Sequence, residues 1–151
     1  MNAQHTAHSK LYSLLLVTLA LATLTACGGA RATIEGKAVW GSTPLANSLV
    51  QLQKLDDESG AAPTQQAQTN VPEQETQTDA AGKYTFDNVA PGKYFVVLKV
   101  EREGGRCVAI LITEAKAGDK ATLDFEIPET VSLAGGARLL PNGTIIRCGS
   151  G

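Results

Sequence analysis

Side chains suited to acid–base or metal chemistry are few in this sequence, and its two histidines lie at the very start. His5 and His8 are the only imidazoles among the 151 residues. Imidazole is the side chain that titrates near neutral pH and is a frequent ligand of zinc. Both histidines precede a long apolar run, so a chain cut after that run keeps no imidazole. We therefore expect no catalytic residue, no metal site and no cofactor.

The first 26 residues have the pattern of a secretory signal. A polar start containing Lys10 is followed by an almost unbroken apolar run from Leu11 to Ala26. A basic start, a short apolar run and a small-residue exit are typical of signals that a peptidase removes. The run is shorter than the roughly 20 apolar residues that a spanning helix needs. We predict a cleaved signal over residues 1–26 and an exported mature chain.

The end of the apolar run, Leu24-Thr25-Ala26-Cys27, resembles the lipobox of bacterial lipoproteins. The resemblance implies cleavage before Cys27, diacylglycerol on its thiol, and a membrane as the partner of that lipid. Residues 27–31 would form a lipidated tether. Gly28 replaces the aspartate that retains lipoproteins on the inner membrane, which implies the outer membrane in a two-membrane source and otherwise the outer face of the cell membrane. An ordinary cleaved signal followed by cysteine is the alternative.

The other two cysteines, Cys107 and Cys148, remain as a pair. An even pair in an exported chain favours a disulfide. Closing a loop of about 40 residues stabilises a fold by roughly 4 kcal/mol in the chain-entropy model. Two separate thiols, or a site that uses both, are the alternatives.

The charge balance gives no reason to expect a nucleic-acid partner. Of the 13 basic side chains only Lys10 lies in the signal, so the mature chain has 12 basic against 15 acidic side chains. Nucleic-acid binding depends on clustered positive charge, which a chain of about −3 without a basic block does not offer.

After residue 31 the sequence has the pattern of short strands. β-Forming residues alternate with polar ones, and turn residues recur at intervals typical of a sandwich. We predict an all-β domain over residues 32–151: an antiparallel β-sandwich of about seven strands, transthyretin-like or immunoglobulin-like. The predicted strands are 33–40, 49–54, 83–87, 93–101, 106–113, 121–127 and 144–147.

Residues 56–78 interrupt this pattern with glutamines, threonines and two prolines. A loop of this length is uncommon in a compact domain and is usually functional or disordered. We predict a flexible, solvated spacer, with a binding loop as the alternative. The acidic side chains of Asp56, Asp57 and Glu58 could hold calcium through oxygen ligands, but we expect them to be solvated.

Two motifs follow this segment: an aspartate and a glycine before two alternating aromatic residues, and a proline–glycine turn before a tyrosine. They comprise Asp79, Gly82, Tyr84, Phe86, Pro91, Gly92 and Tyr94. Together with residues 36–39 and 44–52 they resemble the carboxypeptidase regulatory-like domain, a transthyretin-like (prealbumin-like) β-sandwich. The resemblance covers about 65 of the 125 mature residues. It implies that these residues build turns and core, and that the domain is an accessory or surface module.

These observations favour a non-enzymatic module of the cell envelope, held at the membrane and in contact with an envelope protein. A module that binds carbohydrate or another small ligand is the alternative. Trp40 is the ligand-binding candidate, because an aromatic ring at a strand end can stack on a sugar; the same ring can instead cap the core.

Overall fold

The computed structural model describes residues 29–55, 71–102, 105–131 and 136–149. Contacts divide the chain into residues 1–30 and residues 31–151, and the second unit holds all the strands. No helix that could cross a membrane is found among the described residues. The strands are β1 (Ala32–Trp40), β2 (Thr43–Pro44), β3 (Leu49–Lys54), β4 (Gln74–Gln77), β5 (Lys83–Val89), β6 (Gly92–Arg102), β7 (Gly105–Ala115), β8 (Lys120–Thr122), β9 (Phe125–Ile127), β10 (Ala137–Leu139) and β11 (Ile145–Gly149).

The strands form two sheets. The six-stranded sheet has the order β10-β11-β7-β6-β3-β4, and every neighbouring pair in it is antiparallel. In the five-stranded sheet β1 is central, pairing antiparallel with β2 and β5 and parallel with β8 and β9. The predicted all-β sandwich is confirmed. Two parallel pairings to β1 add to the antiparallel arrangement that the sequence predicted.

The main core lies between the sheets and follows the period-two alternation of the strands. On β5, Tyr84 and Phe86 point inward, and on β6 the inward set includes Tyr94, Val96 and Leu98. The Tyr84 ring lies 6.0 Å from the ring of Phe86, in an edge-on arrangement. Burying an apolar side chain of this size contributes about 1.5–3 kcal/mol relative to leaving it in water. Burial of these faces is what holds the two sheets together.

Gly36 accounts for the splitting of predicted strand 121–127 into β8 and β9. The carbonyl oxygen of Leu123 passes so close that a Cβ on Gly36 would lie 1.8 Å from it. The Leu123 amide donates to the carbonyl of Glu35 (2.8 Å), and the Lys37 amide donates to Oδ1 of Asp124 (2.8 Å). Residues 123 and 124 therefore leave the regular ladder where β1 has no side chain, and pairing resumes at β9.

Three short strands, β2, β4 and β10, lie outside the predicted set. Residues 74–77 fall within the segment predicted as a loop, but they form β4 along the edge of β3. Backbone hydrogen bonds make this pairing, so it needs no apolar alternation. The predicted loop is thus shorter than 56–78; residues 56–70, including Asp56, Asp57 and Glu58, lie outside the described part of the chain.

Candidate functional site

The predicted anchor, Cys27, lies outside the described residues, so its lipidation stays a prediction. Strand β1 begins at Ala32, which leaves residues 28–31 between this cysteine and the sandwich. An extended stretch of four residues spans at most about 14 Å. Any lipid on Cys27 would therefore hold the start of β1 close to the membrane.

Cys107 and Cys148 form a disulfide, as predicted. They are register partners on β7 and β11, with Cα atoms 4.1 Å apart, and both face the core. This spacing is that of the closer, non-hydrogen-bonded pair of an antiparallel ladder. The disulfide therefore fastens the C-terminal strand to its neighbour within one sheet.

The Asp79 carboxylate organises the turn before β5. Its Oδ1 accepts hydrogen bonds from the amides of Ala81 and Lys83, both at 2.8 Å. The Gly82 amide donates to the carbonyl of Asp79, and Gly82 has a φ of 77°, in the left-handed region that favours glycine. A Cβ on Gly82 would also lie 2.4 Å from the carbonyl oxygen of Ala38. These residues direct the chain into β5.

The aromatic residues of the two motifs serve the core and the second turn. The Tyr84 hydroxyl donates to the carbonyl of Leu123 (2.5 Å), beside Gly36. The Tyr94 hydroxyl donates to the carbonyl of Ala90 (3.0 Å) across the Pro91–Gly92 turn. Burial raises the pKa of the Tyr84 phenol, and the nearby charge of Asp124 raises it further. The Tyr84 hydroxyl thus holds the segment between β8 and β9, and the Tyr94 hydroxyl holds the turn before β6.

Trp40 lies in the core and is only 4% exposed. The guanidinium carbon of Arg102 lies 4.8 Å from the ring centroid, a cation–π arrangement. A sugar needs an open ring face on which to stack, and this ring offers none. Of the two roles considered for Trp40, the structure shows the core-capping one.

The described residues offer little to a metal ion. Among them no group of three or more histidine, cysteine, aspartate or glutamate side chains could hold a metal.

The described residues also line two open depressions on the surface. One, of about 380 Å³, lies between β9 and the turn after β10, and Val39, Gly41, Glu126 and Asn142 are among its lining residues. The other, of about 240 Å³, lies over β1 and β5, with Lys37, Lys83 and Asp124 in its lining.

The outer faces of the two sheets differ in character. On the five-stranded sheet the outward side chains of β5 are Lys83, Thr85 and Asp87, all exposed. The six-stranded sheet instead carries a second apolar cluster on its outward face, away from the main core. Its buried members are Phe95, Val97 and Ile110, and its partly buried members are Leu55, Val108 and Ile145.

Glutamine side chains border this outer cluster on β3. The Gln53 amide nitrogen donates to Oε1 of Gln51 (3.3 Å), and the Gln51 amide nitrogen donates to the carboxylate of Glu75. Oε1 of Gln53 is buried and has no hydrogen-bond partner among the described residues. This face was not predicted from the sequence. The signal for it was the unbroken apolar run of β6, which is typical of a strand buried on both faces.

The edges of the two sheets differ in how they are joined. The edge strands β4 and β5, one from each sheet, are linked because the Gln74 amide nitrogen donates to the carbonyl of Asp87 (3.1 Å). At β9 the Asn142 amide nitrogen donates to the carbonyl of Glu126 (3.1 Å). All three residues of β10 are exposed. Leu139 on β10 is 74% exposed.

No protein-family model matches the chain, and no curated protein sequence matches it. Several solved structures do match. A candidate carbohydrate-binding protein from Pseudomonas aeruginosa is 13% identical, with a TM-score of 0.43, over 66% of this chain and 90% of its own. The minor pilin of Streptococcus agalactiae is 12% identical, with a TM-score of 0.45, over 73% of this chain and 49% of its own, so the chain spans about half of that pilin. An (S)-allantoin synthase is 10% identical, with a TM-score of 0.47, over 83% of this chain and 53% of its own.

Proposed function

We propose that this protein is a lipoprotein of the bacterial cell envelope, in which a non-catalytic β-sandwich is held at the membrane through Cys27 and serves as an interaction module. One observation carries the proposal. The compact unit begins at residue 31 and its first strand at Ala32, directly after the stretch that resembles a lipobox. This position of the first strand supports a short tether between a lipid on Cys27 and the sandwich.

The disulfide supports an exported location. Disulfides persist in oxidising compartments such as the periplasm and the cell surface and are rare in the cytosol. Cys107 and Cys148 are buried partners on adjacent strands, so they serve stability. Cys27 is left over from this pair and is available for the lipid.

The accessory role draws on the resemblance to the carboxypeptidase regulatory-like domain. The residues that carry that resemblance make turns and core, as in the bonds of Asp79 and the burial of Tyr84 and Phe86. Such residues specify a fold and no reaction. A carbohydrate-binding role has no comparable support, because the Trp40 ring is buried beneath Arg102.

Mass spectrometry of the membrane fraction tests the anchor. We expect a mature chain that begins at Cys27 and carries acyl groups, because two or more acyl chains hold a protein at a bilayer almost permanently. Cys27→Ser should abolish this modification and release the exported chain into the soluble fraction.

The matched control is the double variant Cys107→Ala/Cys148→Ala, which removes the other two cysteines and should still partition with the membrane. Anchoring through Cys27 is refuted if wild-type protein is soluble and begins elsewhere, or if Cys27→Ser partitions as wild type does.

A further inference from the structure

Among the described residues β10 pairs with β11 alone, so its other edge carries backbone groups that no described strand bonds. The Leu140 amide donates to the carbonyl of Thr144 (2.8 Å), which makes that pair a hydrogen-bonded one in the hairpin of β10 and β11. Bonded and non-bonded pairs alternate along an antiparallel ladder. Arg138, opposite Ile146, is therefore a bonded residue, whereas the N–H and C=O groups of Ala137 and Leu139 point away from β11.

The disulfide between β7 and β11 gives the same alternation of bonded and non-bonded pairs independently. The Cα atoms of Cys148 and Cys107 are 4.1 Å apart, so this pair does not exchange hydrogen bonds with β7. The backbone groups of Cys148 and Ile146 must then point toward β10, as the pairing of Ile146 with Arg138 requires. Both observations leave Ala137 and Leu139 with open donors and acceptors at the edge.

We propose that the edge of β10 is a docking site for an extended segment of another protein, which adds to the six-stranded sheet as a further antiparallel strand. This deepens the role of interaction module proposed above and names the kind of partner. Exposed edges of this type are templates for strand addition, and natural proteins usually cover them.

The side chains around the edge specify the chemistry of the partner. Leu139 continues an apolar row on the outer face, because its register partner is Ile145, which in turn pairs with Ile110 and thus with Val97. Arg138 points to the opposite face and is exposed. β10 and β11 contain two arginines and no carboxylate. The matching segment is apolar opposite Leu139 and acidic opposite Arg138.

A second copy of this chain fits the edge poorly. Antiparallel self-pairing that sets Ala137 against Leu139 would place the two Arg138 side chains directly opposite each other. Like charges in directly opposed positions destabilise a strand pair. A partner that carries a carboxylate at this position avoids the repulsion and gains an ion pair.

A peptide titration of the full mature chain in detergent micelles tests the proposal. The probe is a blocked seven-residue peptide of alternating valine and threonine, with glutamate in place of the central threonine. We expect it to slow amide hydrogen exchange at Ala137 and Leu139, measured by NMR, and to leave the Arg138 amide unchanged because that amide already bonds to β11. The matched peptide with lysine at its centre should bind about tenfold more weakly.

Two variants separate backbone pairing from side-chain contact. Leu139→Pro removes an outward N–H while leaving the ladder with β11 intact, since proline is tolerated at sheet edges; it should weaken binding at least tenfold. Leu139→Thr keeps the N–H and should weaken it less. Arg138→Glu should reverse the preference between the two peptides.

Several results would overturn the docking site: no slowing of exchange at Ala137 and Leu139, slowing that survives Leu139→Pro, or equal affinity for the two peptides. Protection that grows with protein concentration in the absence of peptide would indicate self-pairing instead and would also overturn it. Because this experiment does not depend on lipid at Cys27, its failure is distinguishable from a failure of the anchoring proposal.

Discussion

Tyr84 combines core packing with one buried polar contact. Its ring packs between Phe86 and Phe125, and its hydroxyl reaches the carbonyl of Leu123. Because burial raises the pKa of this phenol and the charge of Asp124 raises it further, the folded chain keeps its proton at pH values where the unfolded chain loses it. The stabilising contribution is present in full below the unfolded pKa of about 10 and is lost as pH rises above it.

We therefore expect the contribution of Tyr84 to the free energy of unfolding to be independent of pH between pH 7 and 9. Above pH 10 it should fall with pH, by at most about 1.4 kcal/mol per pH unit. Urea unfolding at a series of pH values measures it. Tyr84→Phe should flatten the decline above pH 10 relative to wild type. Identical slopes in the two proteins would contradict the assignment to Tyr84.

Trp40 shows what alternation in the sequence can and cannot predict about a side chain. The pattern of β1 places Trp40 on the same face as Ile34 and Ala38, and all three are buried. Its neighbours Val39 and Gly41, on the other side of the strand, line the larger depression. The covering of the ring by Arg102 depends on where β6 ends in space, which no local pattern encodes.

The disulfide acts at the level of one strand. β11 is short and is bounded in the six-stranded sheet by β7 and the three-residue β10, so its attachment relies on few neighbours. The covalent link closes a loop with a sequence separation of 41 residues. In the chain-entropy model such a loop is worth roughly 4 kcal/mol.

Cys107→Ala/Cys148→Ala should lower the free energy of unfolding by about 3–4 kcal/mol. Urea unfolding followed by far-UV circular dichroism measures the change, and wild-type protein unfolded with a reductant present serves as the matched reference. An unchanged urea midpoint in the double variant would show that the link does not constrain the unfolded chain.

The long strands were predictable because their side chains alternate or run apolar. The predicted segment 49–54 coincides with β3, and the segments for β6 and β7 differ from the structure by one or two residues at each end. β4 and β10 were missed because they depend on backbone bonds to a neighbour and carry no pattern of their own. The open edge of β10 follows from strand order, which the sequence does not encode locally, whereas the outer cluster had a partial signal in the apolar run of β6.

In the proposed lipoprotein, residues 28–31 join the lipid to a sandwich whose first strand begins at Ala32. For lipidated protein in vesicles, we expect lipids that carry a spin label on the headgroup to broaden the NMR signals of Ala32 and Thr33, since four residues reach at most about 14 Å. Inserting a flexible linker of twenty Gly/Ser residues between Gly29 and Ala30 adds about 25 Å of root-mean-square reach and should relieve the broadening. Unchanged broadening after insertion would mean that the domain itself adheres to the membrane.

The central position of β1 has a mechanical consequence. A pull on a lipid at Cys27 in line with β1 would enter the domain at Ala32 and load that strand along its axis. Hydrogen bonds flank that strand on both sides, to β2 and β5 and to β8 and β9, and they lie across the direction of the load. Under such shear they share the force and must fail together, whereas a strand peeled from an edge loses its bonds one at a time. The strand nearest the proposed anchor is thus the one best placed to bear tension between a membrane and a docked partner.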